Sequence, residues 1–177
     1  CSINRDLFLG YFQCKRKVYE LVNNPDAKRL NENYSEQFNT VAFKEKASEI
    51  IIAEEKGTAK KIIKNKKFRS SNGEEVIIDL LVEYPNENTM IEFIPTTIKY
   101  IGWEKWWIAY KVAVVRKCNY KIDKVLLVCR DWEFETNKYD RKFLYIEEIQ
   151  NSVQRLINTV PQKIEYIYKA MVDKSLL

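Results

Sequence analysis

The sequence predicts a single α/β domain, 1–177, with a small mixed sheet flanked by helices. Three observations predict it. Segments of helical periodicity and short apolar runs of strand length follow one another as helix, helix, strand, strand, helix, strand, helix. A length of 177 residues suits one domain with a substantial core. An apolar content of 46% with 31% charged residues fits a folded chain, not a disordered one. No apolar run approaches the roughly 20 residues that span a bilayer, and no repeat or low-complexity segment interrupts the order.

Asn4–Asn23 reads as a helix, with Leu7, Leu9, Tyr11, Phe12, Val18, Tyr19 and Leu21 as its apolar stripe. Asn23-Asn24-Pro25-Asp26 stops it. A polar loop follows to Tyr34. From Ser35 to about Ile63 the pattern predicts one long helix, with Val41, Ala42, Ala47, Ile50, Ile51 and Ala59 on its apolar side and Gly57 as an interruption. Lys60, Lys61, Lys64, Lys66, Lys67 and Arg69 then form the densest basic cluster. It reads either as a solvated helix end or as a phosphate-contacting patch.

Ser70-Ser71-Asn72-Gly73 is a turn. Glu75–Tyr84 is a strand apolar on both sides, hence central in a sheet. Pro85-Asn86-Glu87-Asn88 turns the chain, and Thr89–Ile94 returns as a second strand that Pro95 ends. Gly102–Lys117 reads as a helix rich in Trp and Tyr. Ile122–Cys129 is a third buried strand, and Asp131–Arg141 is a polar excursion. Phe143-Leu144-Tyr145 is a short strand or docking segment. Glu147–Asp173 is helical, with Pro161 splitting it.

Composition excludes whole classes of chemistry. The chain has no histidine, so Ser-His-Asp and Cys-His catalysis and histidine metal sites are out. Its four cysteines, Cys1, Cys14, Cys118 and Cys129, have no C-x-x-C spacing, which argues against a zinc ribbon or redox motif. Free thiols and no membrane segment point to a cytoplasmic setting. Cys1-Ser2 also matches the start of a processed lipoprotein, although the helix that follows reads as cytoplasmic. A net charge of +5 permits an anionic partner.

Two residues break the strand pattern. Asp79 and Glu92 are acids at positions where neighbours are apolar, and a buried acid is costly unless hydrogen-bonded, paired or metal-bound. Four stretches around and beyond them resemble the RecB-like branch of the PD-(D/E)XK nuclease superfamily. Leu7–Lys17, with Cys14-Lys15-Arg16-Lys17, resembles the opening helix of that branch. Ile77–Glu83 resembles its G-R-x-D-x-L strand, and Met90–Ile94 its (I/V)-E-x-K strand. Trp107–Lys111 resembles its D-x-A-x-Q helix, and the tail Phe143–Ile149 also fits.

The resemblance implies a PD-(D/E)XK core and a site in which Asp79 and Glu92 hold Mg2+ or Mn2+, with Glu45 from the second helix completing it. Such a metal would bridge a scissile phosphate and activate water. The departures from the family pattern are equally specific. Ile94 stands where the family has its lysine, and Val76-Ile77 where it has Gly-Arg. Trp107 and Lys111 stand in place of the helix acid and glutamine. Two explanations compete. Catalysis has been lost, leaving a module that binds DNA, RNA or a partner protein; this is the favoured reading. Alternatively the lysine has migrated, with Lys111 (or Lys99) presenting its ammonium to the same acids in an active nuclease. A protein–protein interaction module without nucleic acid is the third reading.

Some RecB-like relatives hold an iron–sulfur cluster on one early and three late cysteines. Only Cys14 matches, so no iron–sulfur cluster is expected, and Cys118 and Cys129 are expected to pack as small apolar residues. Trp103, Trp107 and Tyr110 share one helical face and read as core. Trp106 lies off that stripe and is the expected exposed contact for nucleic acid or a partner protein, and Lys60, Lys61, Lys64, Lys66 and Lys67 are the basic candidates for nucleic acid.

Overall fold

The computed structural model describes residues 3–24, 26, 40–94, 101–130 and 140–176. Among these, six α-helices flank a five-stranded mixed sheet. The elements are α1 (Arg5–Gln13), α2 (Lys15–Asn23), α3 (Thr40–Glu55), β1 (Lys61–Arg69), β2 (Glu75–Glu83), β3 (Asn88–Ile94), α4 (Ile101–Lys117), β4 (Lys124–Arg130), β5 (Leu144–Glu148), α5 (Gln150–Ile157) and α6 (Val160–Val172). The strands lie in sequence order, β1-β2-β3-β4-β5. All neighbours are antiparallel except β3 and β4, which run parallel. A parallel pair needs a long crossover, and α4 lies in that connection.

The sheet separates two cores. On one face Phe43, Ala47 and Ile51 of α3 pack on Leu80, Val82, Ile91, Phe93 and Val128. On the other, α1, α2, α4, α5 and α6 converge through Phe8, Val18, Ile108, Val112, Val153 and Ile167 onto Ile78, Leu81, Met90 and Leu127. Strands covered on both sides read as continuous apolar runs, and Leu80–Val82 of β2 and Thr89–Ile94 of β3 are buried without a break.

Several boundaries differ from those the sequence predicts. The first helix is two, because Cys14 is extended (φ −167°, ψ 127°) and the chain restarts at Lys15. The second ends at Glu55, not near Ile63, and its predicted start, 35–39, lies outside the described residues. The basic segment after it is neither helix nor helix end. It is edge strand β1, paired along its length with β2. Lysine favours helix only weakly, and pairing with an apolar strand outweighs that preference. The last helical region breaks at Asn158–Thr159, and Pro161 sits in the first turn of α6, where its missing N–H costs nothing. Most of the polar excursion after β4, 131–139, lies outside the described residues.

One irregularity positions the site. On β2, Val76 and Ile78 enter the α4-side core, whereas Leu80 and Val82 enter the α3-side core. A regular strand would keep all four on one face. On β1, Phe68 joins the α4-side core and Ile62 packs against the α3-side one, again with the same parity. Both strands therefore exchange faces at the same place, between the pairs Lys64↔Leu80 and Lys66↔Ile78, with register preserved. Asn65 takes the left-handed conformation there (φ 51°), and the β2 residue between those pairs is Asp79. Beyond the exchange the outer face of the β1–β2 hairpin is open, and Ile77 on it is 48% exposed.

Candidate functional site

The β2–β3 ladder runs from Glu83↔Asn88 to Leu80↔Ile91. One step further, carboxylates take over from the backbone. Glu92 Oε1 accepts from the Asp79 N–H at 3.2 Å, and Asp79 Oδ2 accepts from the Phe93 N–H at 3.0 Å. The two acids clasp opposite strands reciprocally and satisfy the donors the ladder leaves unpaired.

Each remaining oxygen receives a lysine, and the two lysines come from opposite faces of the sheet. Lys44 of α3 donates to Asp79 Oδ1 at 3.2 Å. Lys111 of α4 donates to Glu92 Oε2 at 2.9 Å and to the Ile77 carbonyl at 2.7 Å. Glu92 and Lys111 are buried, at 4% and 7% exposure, whereas the Lys44 side chain is 40% exposed. Lys111 is held by its surroundings. Its ammonium stands 5.8 Å from the Trp107 ring, and Phe8 packs on both Trp107 and Tyr110 at 5.6 and 5.9 Å.

Burial and charge push the two acids apart. Burial pushes Glu92 up, the neighbouring Asp79 charge pushes it further, and Lys111 and Lys44 only partly offset this, leaving it at about 7. For Asp79 burial also acts upward, but Lys44, Lys111 and the Phe93 N–H outweigh it and hold the carboxyl below its ordinary value. The cluster therefore has one firmly ionised carboxylate and one that exchanges a proton near neutrality.

The structure brings Asp79, Glu92 and Lys111 together but not Glu45, which is exposed and engages Ser48 only through its backbone carbonyl. Lys44, one residue earlier, takes the place expected of Glu45. The helical pattern contained that signal. Phe43, Ala47 and Ile51 form the sheet-facing stripe, Lys44 lies three residues before Ala47, and Glu45 falls on the opposite side. Ile94 shares the α4 face with Glu92 and is core, so Lys111 reaches the acid where Ile94 cannot. Lys99 lies outside the described residues.

A divalent cation does not fit this arrangement. Mg2+ and Mn2+ need free carboxylate oxygens and open positions for water, yet all four oxygens of Asp79 and Glu92 accept protein donors. Among the described residues no group of three acids or cysteines is placed to hold a metal.

Lys60, Lys61, Lys64, Lys66 and Lys67 are all exposed along β1 and its start. Lys67 is paired with Glu75 at 2.8 Å, and Lys66 lies 5.8 Å above the Phe68 ring. Lys64 and Lys66 flank Asn65, the residue facing Asp79, so the basic edge leads to the carboxylate pair. The aromatic expectation is partly reversed. Trp107 and Tyr110 are core, but Trp103 is 47% exposed because it lies in the first turn of α4. Trp106 is half-buried, with its ring 5.5 Å from Phe12 and Lys163 5.4 Å above it. Cys129 is fully buried and its thiol is pushed up to about 12 by burial, Cys118 is half-buried, and Cys14 is exposed at the α1–α2 break.

The sequence matches no family model and no curated protein. Among solved structures, the crystal structure of SSO0001 is similar with a TM-score of 0.48 and 10% identity, over 93% of this chain and 83% of that chain. Among the described residues no helix is long and apolar enough to cross a membrane.

Proposed function

We propose that this chain is a RecB-like protein of the PD-(D/E)XK type in which the carboxylate pair has become structural, and that it acts by binding nucleic acid without cutting it. The observation that carries this reading is the saturation of Asp79 and Glu92 by two lysines and two backbone N–H groups. An isoleucine at position 94 and an exposed Glu45 support it, since neither lysine nor third acid stands where the family resemblance places it. Binding is supported by the exposed lysines of β1, which put positive charge along that sheet edge, Lys64 and Lys66 flanking the residue opposite Asp79. Lysines on an edge strand also discourage edge-to-edge aggregation, and charge reversal separates the two roles.

The rival reading, an active Mg2+- or Mn2+-dependent nuclease, draws on one observation: Lys111 does reach Glu92, at 2.9 Å. The experiment incubates DNA and RNA, single- and double-stranded, with the protein and either metal, and measures binding separately in chelator across a salt series. The expected result is binding without cleavage. Lys64→Glu and Lys66→Glu should weaken binding and reduce the salt slope by about one per lost phosphate contact. Cleavage abolished by Asp79→Asn and by Lys111→Met would establish the nuclease instead. Absence of both binding and cleavage would leave the protein-interaction module.

A further inference from the structure

We infer that Lys44 is a built-in counter-ion that occupies the cation position of the Asp79–Glu92 pair, so that a divalent metal is excluded by charge, not by shape. This rests on the reading that the pair is no longer a metal site, and it names the residue that closes it.

Three observations carry the inference. First, the Lys44 ammonium lies 3.2 Å from Asp79 Oδ1, and it comes from α3, the helix on the face opposite Lys111. Second, Asp79 and Glu92 are otherwise prearranged. Their inner oxygens are held by the Phe93 and Asp79 N–H groups, so the carboxylates keep their orientation without any help from Lys44. Third, Lys44 alone among the four side chains has substantial solvent access, at 40% side-chain exposure, against 11% for Asp79 and 9% and 5% for Lys111 and Glu92. Its removal opens a path from solvent to a fixed carboxylate and leaves the rest of the clasp in place. A hard cation binds where oxygens of net negative charge face an open, hydrated position. At pH 8, with both carboxyls ionised, the two lysines leave the cluster neutral, and without Lys44 it is anionic.

The test is binding of Mn2+ alone, measured by equilibrium dialysis and by the electron paramagnetic signal of free ion, on wild type, Lys44→Gln, Lys44→Glu and Lys44→Glu/Asp79→Asn. Wild type should take up no stoichiometric Mn2+ at millimolar concentration. Lys44→Glu should acquire one site, its carboxylate joining the freed Asp79 Oδ1, and Lys44→Gln, which frees a single oxygen, should bind about tenfold or more weakly. The Asp79→Asn change should abolish it. Stoichiometric Mn2+ in wild type that is lost in Asp79→Asn would overturn the inference and needs no Lys44 variant to fold. Folded Lys44→Gln and Lys44→Glu proteins that both ignore Mn2+ would also overturn it. Nucleic-acid binding, read in chelator, is independent of these outcomes, so failure here is distinguishable from failure of the binding reading.

Discussion

At the scale of single residues, Glu92 sets the pH behaviour of the site. The folded protein holds its proton more tightly than an unfolded chain does, since its folded value is about 7 against an ordinary 4.5. Its contribution to stability is therefore complete below about pH 4.5 and is lost as pH rises through 7. Asp79 runs the other way: held low, it contributes above the ordinary carboxylate range, and that contribution is lost as pH falls through its folded value. Glu92→Gln should remove the decline between pH 4.5 and 7, which at its steepest approaches about 1.4 kcal/mol per pH unit. Urea midpoints of wild type and variant across that range check this, and parallel curves would refute it. Lys111→Met should cost about 2–4 kcal/mol at pH 8, because it strips the donor from both Glu92 and the Ile77 carbonyl in a buried setting. The loss should shrink toward pH 6 as Glu92 takes up a proton in compensation.

At the scale of elements, the β1–β2 hairpin decides how the site is built. Exchange of faces at Asn65 and Asp79 lets β2 serve one core before the exchange and the other after it, and it turns Asp79 toward α3. The left-handed Asn65 is a residue type that tolerates φ 51°. Asn65→Val should destabilise by about 1–2 kcal/mol, whereas Asn65→Gly should be nearly neutral, as read from thermal midpoints. Equal effects of the two would mean the conformation is not required. This element also marks how far the sequence was legible. The apolar strands, the odd acids and Lys111 announce themselves by type and position. β1 does not, because its burial rests on Ile62, Ile63 and Phe68 with an exchange of faces between the first and the last, which hides the period-two signal among lysines. Lys44 escaped for a different reason. A cation on a helix reads as solvated surface unless its partner across the sheet is known, and that partner is set by tertiary packing. Cys14, likewise, carries no turn chemistry that would announce the break between α1 and α2.

At the scale of the whole molecule, the clasp joins the two helical layers through the sheet. Lys44 and Lys111 come from opposite faces, yet both compensate one pair of carboxyls. Residues this arranged should not behave independently. Loss of either lysine leaves the cluster with one uncompensated charge, and Glu92 can neutralise it by holding a proton near neutral pH. Loss of both leaves two, and the second proton would have to go to Asp79, whose ionised form the Phe93 N–H still favours; protonation would forfeit that charge-assisted bond. Lys44→Met/Lys111→Met should therefore be more destabilising than the sum of its single variants, by about 1 kcal/mol or more at pH 8. The excess should fall as pH drops toward 5, where an unfolded chain also begins to hold these protons. A double-mutant cycle at the two pH values measures it. Additivity at both would show that the sheet insulates its two faces, and that Asp79 and Glu92 are two separate ion pairs, not one cluster.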